Sequence, residues 1–430
     1  QRSPGSTLKP FLYGMALDAG LIHSESLLQD VPRRYGDYRP GNFAAGFSGP
    51  VSASEALASS LNLPAVQLLE AFGPKRFAGE LRAAGVPLSL PALAEPNLAI
   101  ILGGAGSRLE ALVGGYRALA QGGKAARIRL QPDAPLLERR LLSPGSAWII
   151  RRILSGQSRP ERDPRGAVQQ GSQLAWKTGT SYGFRDAWAI GVGPRYLIGI
   201  WIGRPDGTPV PGQFGLASAA PLMLQVHDLL LNRDSQRGIA APVESTPASV
   251  GVAAICWPLG QPLDSQDPNC RRQRFAWTLD GTTPPTLQAL DQPLGFGLQQ
   301  TIWVNAQGLQ TAAGCAGATA RQLILWPAAL EPWLPRRERR SARLPASDPA
   351  CPPELPVVSA PLSIVGVRDG DQLRRPAASA EALRLKLSAL GGSGRRWWFL
   401  DGAVSAVVRR RLRETVSQPA GFPGARRRPV

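Results

Sequence analysis

Three short motifs in this chain carry side chains suited to acyl transfer by a serine nucleophile. They are Ser6-Thr7-Leu8-Lys9, Ser60-Leu61-Asn62 and Lys177-Thr178-Gly179-Thr180. On a helix, a serine and a lysine three residues apart lie on the same face. The hydroxyl can then give its proton to a neutral amine and attack a carbonyl carbon. The spacing of the first motif predicts that Ser6 is the nucleophile and that Lys9 accepts its proton.

The second motif offers groups that handle an amide substrate. Asn62 carries both a hydrogen-bond donor and an acceptor, which suits it to bind a substrate amide. The Ser60 hydroxyl is able to pass a proton to a leaving nitrogen. The sequence therefore predicts that both residues face the same reacting carbonyl as Ser6.

The third motif adds positive charge and hydroxyl groups. A second cation at Lys177 would disfavour the protonated form of Lys9. Thr178 and Thr180 offer hydroxyls to a substrate carboxylate, and Gly179 lets another backbone segment approach closely. Each motif alone is weak, but the three in this order are typical of one family of acyl-transfer sites.

Other kinds of catalytic site lack the residues they need. Only two histidines are present, His23 and His227, and both are expected to be structural, so no Ser-His-Asp triad is predicted. No cluster has metal-ligand spacing, and the glycines at 103–106 lack the lysine of a phosphate-binding loop. We therefore expect neither a cofactor nor a metal.

A hydrolytic enzyme of the same chemistry would need a base aimed at water. Glu55 and Glu70 are the candidates by sequence position, and we expect both to be charges on helix surfaces. The sequence accordingly favours a stable acyl-enzyme over rapid hydrolysis.

The composition is that of a folded, strongly basic chain. Its 430 residues are 43% hydrophobic and carry a net charge of +18, mostly through arginine. This length suggests two or three domains. No nucleic-acid recognition motif accompanies the charge, so a nucleic-acid partner is not expected. An arginine-rich solvated surface is the first interpretation, and attraction to anionic lipid headgroups is the alternative.

Four cysteines lie in the second half of the chain, at Cys256, Cys270, Cys315 and Cys351. None forms a Cys-x-x-Cys pair, which disfavours zinc. The simplest disulfides join neighbours, Cys256 with Cys270 and Cys315 with Cys351, and would indicate an oxidising compartment. Free buried thiols are the alternative.

Residues 1–235 are predicted to form helices around an antiparallel sheet. A helix should begin near Ser6. Apolar patterning and caps predict further helices at 52–60, 63–69, 75–84, 109–119, 147–154 and 216–231. Three adjacent antiparallel strands are expected at 174–179, 186–192 and 196–202.

The rest of the chain is predicted to form two further regions. Residues 236–350 are rich in proline and arginine, and 331–344 is expected to be a solvated connector. Residues 351–430 alternate as short strands of a small all-β, sandwich-like domain, with a turn at Asp401-Gly402 and a basic tail. Trp397 and Trp398 are expected to pack within it, although they could instead face a glycan or a protein.

The motifs and their flanks resemble the transpeptidase half of class A penicillin-binding proteins, and the second half of the chain resembles the penicillin-binding protein 1C type. The resemblance covers nearly the whole chain and rests on these segments: Arg2-Ser3-Pro4-Gly5-Ser6-Thr7-Leu8-Lys9-Pro10, Ser60-Leu61-Asn62-Leu63-Pro64-Ala65-Val66, Trp176-Lys177-Thr178-Gly179-Thr180-Ser181, Arg185-Asp186-Ala187-Trp188, Cys256-Trp257-Pro258-Leu259-Gly260, Trp326-Pro327-Ala328-Ala329-Leu330-Glu331-Pro332-Trp333 and Arg396-Trp397-Trp398-Phe399-Leu400-Asp401-Gly402.

The resemblance implies a β-lactamase-like α/β transpeptidase fold and a reaction in peptidoglycan synthesis. Ser6 would attack the D-Ala-D-Ala carbonyl of a stem peptide, release D-alanine and pass the acyl group to a neighbouring amine. The N–H groups of Ser6 and Thr180 would form the oxyanion hole, and β-lactams would acylate Ser6. Which group is the acylation base is disputed in related enzymes.

The same resemblance implies a setting for the protein. Family members carry an N-terminal membrane helix and a glycosyltransferase domain, which this sequence lacks, so we expect it to be an N-terminally truncated part of a protein on the periplasmic side of the bacterial inner membrane. Stem peptides, β-lactams and other cell-wall synthesis proteins are the expected partners. Alternative functions are a D,D-carboxypeptidase or β-lactamase-like hydrolase, and a weakly catalytic penicillin sensor or cell-wall docking module.

Overall fold

The structure is a computed structural model that describes residues 1–35, 38–43, 46–157, 174–240, 242, 244–264, 270, 272–287, 298–353, 363–365, 388–390, 396–400 and 403–408. The chain divides into two compact units, Gln1–Ser347 and Asp348–Val430. The first unit contains all three motifs. The division predicted at residues 235 and 350 stays a prediction.

The first unit alternates helices and short strands. Its helices are α1 (Lys9–Asp18), α2 (Ala53–Ala58), α3 (Asn62–Phe72), α4 (Pro74–Ala83), α5 (Leu109–Ala120), α6 (Pro144–Ser155), α7 (Ala220–Gln236) and α8 (Arg340–Arg343). Its strands are β1 (Leu27–Asp30), β2 (Gly49–Ser52), β3 (Lys124–Ala126), β4 (Glu138–Arg140), β5 (Ala175–Thr180), β6 (Asp186–Val192), β7 (Leu197–Gly203), β8 (Val250–Cys256), β9 (Gln273–Leu279), β10 (Gln299–Val304), β11 (Gln310–Thr311) and β12 (Thr319–Ile324).

Short irregular helices complete the first unit. They are 3₁₀ turns at Gly5–Leu8, Leu98–Leu102, Ala328–Trp333 and Arg336–Glu338, and a π-helical turn at Gly215–Ala219 that runs into α7. The helices predicted from apolar patterning are all present, with ends shifted by a few residues. The one correction near the first motif is that the chain enters α1 through a 3₁₀ turn, so Ser6 precedes the α-helix proper.

The predicted antiparallel sheet is confirmed. Its strand order is β5-β6-β7, which leaves β5 at one edge. In its register Thr180 pairs with Ala187, and Trp188 pairs with Trp201. Helix α1 is buried along almost its whole length, from Lys9 to Leu17. The result is a central helix beside an open sheet edge, with other helices packed around both.

Local signals explain why the helices beside the motifs start where they do. Ser52 caps α2 in a capping box with Glu55, which satisfies backbone N–H groups that a helix start leaves free. Helix α3 begins directly at Asn62 and ends before Gly73, whose φ of 95° suits a glycine. The Ser60-Leu61-Asn62 motif is therefore the tight link between two helices.

The region after α7 is less solvated than predicted. Strands β8 and β9 form an antiparallel hairpin, and β10 pairs with β11 and β12. The solvated connector expected at 331–344 is wrong in part, because Leu334 is buried and Trp333 packs beside it in one apolar cluster with Leu27 of β1. The sequence does not predict this burial, because prolines and arginines surround the apolar residues in this segment.

The cysteines, all four within the described residues, contain no free thiol. Cys256 and Cys270 form a disulfide with their Cα atoms 5.4 Å apart, as the simplest pairing predicted. This bond ties the end of β8 to the segment that leads into β9. The alternative of free buried thiols is wrong.

The second unit contains two antiparallel pairs, β13 (Ser363–Val365) with β14 (Ser388–Leu390) and β15 (Arg396–Leu400) with β16 (Ala403–Val408). The prediction of a small β region is confirmed. The turn expected at Asp401-Gly402 and the basic tail lie outside the described residues, and so do the side chains of Trp397 and Trp398.

Candidate active site

The structure brings the three motifs together around one cleft of about 760 Å³. Ser6 lines this cleft from the 3₁₀ turn that leads into α1. The other motif residues that line it are Ser60, Asn62, Lys177, Thr178, Gly179 and Thr180. Lys9 has no solvent exposure and does not line the cleft, and Lys177 is 2% exposed.

Lys9 is held by the Ser60-Leu61-Asn62 motif. Its Nζ donates to the carbonyl oxygens of Ser60 and Leu61 at 2.7 and 3.0 Å, and to Asn62 Oδ1 at 2.7 Å. Three acceptors match the three donors of an ammonium group. Among the described atoms no hydrogen bond joins Lys9 to Ser6, so Lys9 must lose a proton and release one of these acceptors before it can serve as a base.

Lys177, on strand β5, contacts Ser60 from the side of the sheet. Its Nζ donates to Ser60 Oγ at 2.6 Å and to the carbonyl oxygen of Thr178 at 3.0 Å. Ser60 itself has a left-handed backbone with a φ of 56°, which is uncommon for a residue with a side chain. Such strain is typical of functional sites, since the surrounding structure must maintain it.

Both buried lysines are shifted toward their neutral forms. Burial, and then the charge of Lys177, lower the pKa of Lys9 well below its usual value, while the charge of Asp30 opposes that shift. Burial lowers the pKa of Lys177 to about 7. Lys177 can therefore gain and lose a proton near neutral pH, and Lys9 is shifted in the same direction, which favours the acid–base catalysis proposed for such amines.

Backbone contacts set the distance between the serine turn and the edge strand. Gly5 has a φ of 55°, and a Cβ atom there would lie 2.7 Å from Thr180 N and 2.5 Å from Thr180 O. A Cβ on Gly179 would lie 2.3 Å from the carbonyl oxygen of Pro4. Glycine is required at both positions, because any side chain would push β5 away from Ser6.

The hydrogen-bond pattern of the sheet directs one N–H of β5 into the cleft. Ser181 N donates to Asp186 O, so these two residues form a hydrogen-bonded pair. Bonding alternates along an antiparallel ladder, so the N–H of Thr180, one residue earlier, points away from β6, and Thr180 N lies close to Gly5 of the serine turn. Thr180 Oγ1 accepts from Gly215 N at 3.0 Å, which leaves the hydroxyl proton of Thr180 available to a ligand.

Two features of the cleft were missed by sequence reasoning. Phe43, which follows β1, contacts Phe184 and Phe214 across the cleft, with ring centroids 5.9 and 5.4 Å apart. Phe43 remains 62% exposed, so this aromatic bridge offers an apolar surface to a ligand. Asn42, the residue before it, accepts a hydrogen bond from Asn62 N at 2.9 Å. No periodic or spacing signal marks either residue.

The other sequence candidates lie away from the cleft. Glu55 accepts from Ser52 N in the cap of α2, and Glu70 pairs with Arg33 at 3.2 Å, so both are helix-surface charges as predicted. His23 is buried with Nε2 at 2.9 Å from the carbonyl oxygen of Gly260, and His227 is buried on α7. No carboxylate lines the described part of the cleft.

Family models match three parts of the chain. Residues 1–90 match the penicillin binding protein transpeptidase domain, 249–278 match the penicillin-binding protein 1C linker domain, and 293–342 match its second linker domain. These segments carry the first two motifs and both hairpin regions that follow α7. Within the described residues, no helix is long and apolar enough to cross a membrane.

Curated proteins and solved structures give a consistent result. The chain is 57% identical over 401 residues to penicillin-binding protein 1C of Escherichia coli, a match that covers 93% of this chain and 51% of the relative. It is 26% identical to penicillin-binding protein 1A of Clostridium tetani, over 66% of this chain and 39% of the relative. The chain thus spans about half, or less, of the length of these relatives.

The fold is also similar to a crystal structure of penicillin-binding protein 1A from Haemophilus influenzae. That match has a TM-score of 0.51 and 21% identity, and covers 66% of this chain and 49% of the other. It supports the arrangement of helices around an antiparallel sheet described above. With its transpeptidase motifs gathered in one cleft and its two matched linker segments, the chain belongs to the penicillin-binding proteins of the 1C type.

Proposed function

We propose that this chain is a serine D,D-transpeptidase of peptidoglycan synthesis and that β-lactams acylate it at Ser6. The proposal depends on the contacts of two buried lysines in the cleft that Ser6 lines. Lys9 donates a hydrogen bond to Asn62, and Lys177 donates one to Ser60. Two buried amines with lowered pKa values can activate a hydroxyl and then protonate a leaving nitrogen.

The reaction has two covalent steps. Ser6 Oγ attacks the carbonyl carbon of D-Ala-D-Ala, its proton passes to a neutral lysine, and the bond to the terminal D-alanine breaks as its nitrogen takes a proton. The N–H groups of Ser6 and Thr180 stabilise the oxyanion that forms at the carbonyl oxygen. An amine of a second stem peptide then attacks the Ser6 ester, forms the cross-link and restores the serine.

The remaining motif residues bind the substrate in this scheme. The hydroxyls of Thr178 and Thr180 and the charge of Lys177 receive the terminal carboxylate, because a carboxylate accepts hydrogen bonds and favours a nearby cation. Asn62 binds the amide of the donor peptide. Gly179 allows β5 to approach the serine turn closely enough for these contacts.

Water is a poor competitor for the acyl-enzyme in this cleft. Hydrolysis needs a base aimed at water, and the described residues of the cleft include no carboxylate. Phe43 and Phe214, whose rings are in contact, line the cleft and add apolar surface to it. This combination supports transfer to an amine and a long-lived penicilloyl ester.

We also propose the setting of the reaction from the relatives. The protein acts in the cell envelope, on the periplasmic side of the inner membrane, as part of a longer chain with a membrane helix and a glycosyltransferase domain. Residues 1–235 form its transpeptidase domain, 236–350 the connecting region and 351–430 a C-terminal β domain that is available to other cell-wall synthesis proteins.

Labelling with a fluorescent penicillin tests the proposal. The chain should form a covalent adduct, and mass spectrometry of its peptides should locate the added mass on Ser6. Ser6→Ala should abolish labelling, whereas Ser155→Ala, at the end of α6, should label like the parent. An adduct that persists in Ser6→Ala would refute the assignment of the nucleophile.

Two other outcomes of this experiment correspond to the alternative functions. Rapid release of hydrolysed penicillin would favour a β-lactamase-like hydrolase, and cleavage of D-Ala-D-Ala without transfer to an added amine would favour a carboxypeptidase. Labelling without turnover of any stem peptide would favour a penicillin sensor or a docking module.

A further inference from the structure

A buried carboxylate lies behind the cleft without a cation to pair with. Asp30, the last residue of β1, has no solvent exposure. Among the described residues no lysine or arginine lies within ion-pair distance of it. An unpaired buried charge costs several kcal/mol unless hydrogen bonds compensate for the loss of water. The role of Asp30 therefore depends on which groups its hydrogen bonds hold in place.

Those hydrogen bonds hold the chain segment that forms one wall of the cleft. Asn42 Nδ2 donates to both carboxylate oxygens of Asp30, at 2.8 and 3.0 Å. Ser48 N donates to Asp30 Oδ2 at 2.7 Å. The carboxylate thus ties together both ends of the segment 42–48, which has no regular secondary structure in its described residues.

Asn42 passes this restraint on to the second motif. Its Oδ1 accepts from Asn62 N at 2.9 Å, while Asn62 Nδ2 donates to the carbonyl oxygen of Gly41 at 2.7 Å. These two bonds fix the Asn62 backbone and orient its amide, so that Oδ1 is the atom that meets Lys9 Nζ. A continuous series of hydrogen bonds therefore runs from Asp30 through Asn42 and Asn62 to Lys9.

We infer that Asp30 and Asn42 are positioning residues for acyl transfer, which set the orientation of Asn62 and through it the location of the Lys9 amine. The inference rests on the proposed function. Neither residue needs to touch the substrate in this role. Their contribution is to remove alternative rotamers of Asn62 and alternative positions of Asn42 and Ser48, since a small misplacement of a catalytic group lowers the rate.

The charge of Asp30 also acts on Lys9, and this effect can be separated from positioning. The charged and titratable groups that act on Lys9 in the described structure are Lys177 on β5 and Asp30 on β1. Tyr13, one turn along α1, is kept neutral because burial and the charge of Asp30 raise its pKa. Removing only the charge of Asp30 lowers the pKa of Lys9 further, so the alkaline-rising limb of acylation moves to lower pH. Losing the position of Asn62 lowers the rate at every pH.

An exchange of the two side chains tests the inference in the full chain. In Asp30→Asn an N–H₂ group replaces one carboxylate oxygen, and in either orientation of the new amide it faces the Asn42 N–H₂ donor. The double variant Asp30→Asn with Asn42→Asp restores the pairing, because the amide introduced at position 30 donates to the carboxylate introduced at position 42, which still accepts from Asn62 N. The control is Asp234→Asn, a buried carboxylate on α7 that accepts from Tyr196 at 2.7 Å, at the end of the sheet remote from Thr180.

The second-order rate constant for acylation by a fluorescent penicillin is measured from pH 6 to 10 for each variant, with thermal unfolding in parallel. Asp30→Asn should lower the highest rate in that profile about 10- to 100-fold, the range expected for a hydrogen bond to a charged group. The exchanged double variant should regain most of that loss. Asp234→Asn should lose stability but acylate like the parent.

The results distinguish the positioning role of Asp30 and Asn42 from the proposed function. Equal highest rates in Asp30→Asn and the parent would overturn the positioning role, even with a displaced pH limb, and so would a double variant as slow as the single one. A parent chain that does not acylate overturns the proposed function and this inference with it. If Asp30→Asn does not fold, Asn42→Ala replaces it, since the half-buried Asn42 is expected to tolerate truncation.

Discussion

Cationic side chains have different partners in the cleft and in the hairpin region, the part of the first unit from β8 to the 3₁₀ turns after β12. Lys9 and Lys177 are 0% and 2% exposed, yet in the described structure they meet only hydroxyl, amide and carbonyl oxygens. In the hairpin region Arg272 pairs with Glu338, and Arg274 pairs with Glu25 at 2.9 Å. Among the described residues neither lysine of the cleft has a carboxylate within ion-pair distance, whereas these two arginines of the hairpin region each pair with one.

This difference in partners corresponds to a difference in role, acid–base chemistry for the lysines and structural attachment for the arginines. A buried amine with neutral acceptors is destabilised in its charged form, so its pKa falls and it exchanges protons near neutral pH. A guanidinium beside a carboxylate stays charged and holds its partner in place. Arg274 also lies over the ring of Trp257, at 4.0 Å from its centroid. It therefore serves to attach β9 to the helical part of the unit.

Replacing one cation from each region should give the largest contrast. Lys9→Met removes the amine and leaves the oxygens of Ser60, Leu61 and Asn62 without their donor. We expect acylation by penicillin to fall about 10³-fold or more, within the range for loss of a general base together with misplacement of the motif. Arg274→Met should acylate within about twofold of the parent, because an exposed pair remote from the cleft adds little. Similar losses in both variants would remove the distinction between the regions.

The pH dependence of stability should single out Lys177. Its folded-state pKa of about 7 lies below its unfolded value of 10.5. Between these values the unfolded chain holds a proton that the folded chain lacks, so the free energy of unfolding rises with pH by up to about 1.4 kcal/mol per unit. Below about pH 7 both states are charged and the burial cost is complete.

Denaturant unfolding of the parent and of Lys177→Met at pH 7.5 and 9.5 measures this effect. The parent should gain about 2 kcal/mol over this interval relative to the variant, if each unit contributes close to the limiting slope. Parallel changes in the two proteins would show that Lys177 keeps its proton and belongs with the paired cations.

The paired cations should affect stability alone. Arg274→Met removes an ion pair with Glu25 and the contact with Trp257. Because Arg274 is partly exposed, we expect a loss of only about 1 kcal/mol in the free energy of unfolding. Chemical denaturation measures it, with Arg76→Met as a control, since Arg76 forms an exposed pair with Glu80 on α4. A drop of several kcal/mol would indicate a larger structural role.

A small effect on acylation should come from the point where the two regions meet. Trp333 Nε1 donates to the carbonyl oxygen of Phe47, beside the segment that Asp30 holds. Trp333→Phe keeps an aromatic ring but loses that hydrogen bond, which is worth about 1 kcal/mol. Acylation should slow by about threefold or less. A loss as large as that of Lys9→Met would mean that the hairpin region directly controls the chemistry.

The sequence predicts the elements that carry the motifs, because local rules govern where helices and strands begin and end. The catalytic and binding roles of the motif residues stay predictions. The cap at Ser52 starts α2, and alternating β-rich runs mark the three-stranded sheet. The first motif begins a helical segment as predicted, although Ser6 itself lies in the 3₁₀ turn before α1. Each of these features depends on a few neighbouring residues. The glycine at position 179 is different, because it is required by the close approach of Pro4 and Thr7, which lie far away in the sequence.

The support behind the motifs could not be predicted in the same way. Asp30 and Asn42 meet through an irregular segment whose path depends on the fold, and the rings of Phe43 and Phe214 come from distant parts of the chain. The burial of Leu334 against Leu27 likewise joins residues far apart in the sequence. No period or short spacing encodes such contacts, because long-range packing decides them.

Gly49 shows how closely the two halves of the first unit are fitted. Its φ is 75°, and a Cβ there would lie 2.4 Å from Cγ of Trp333. A shortened polypeptide that stopped at residue 235 would lack this indole and leave an open notch beside Gly49. Rates of the proposed acylation by β-lactams, measured on such an excised fragment, would describe a cleft without this support. Tests of that proposal should therefore use a chain that retains the hairpins of β8 to β12.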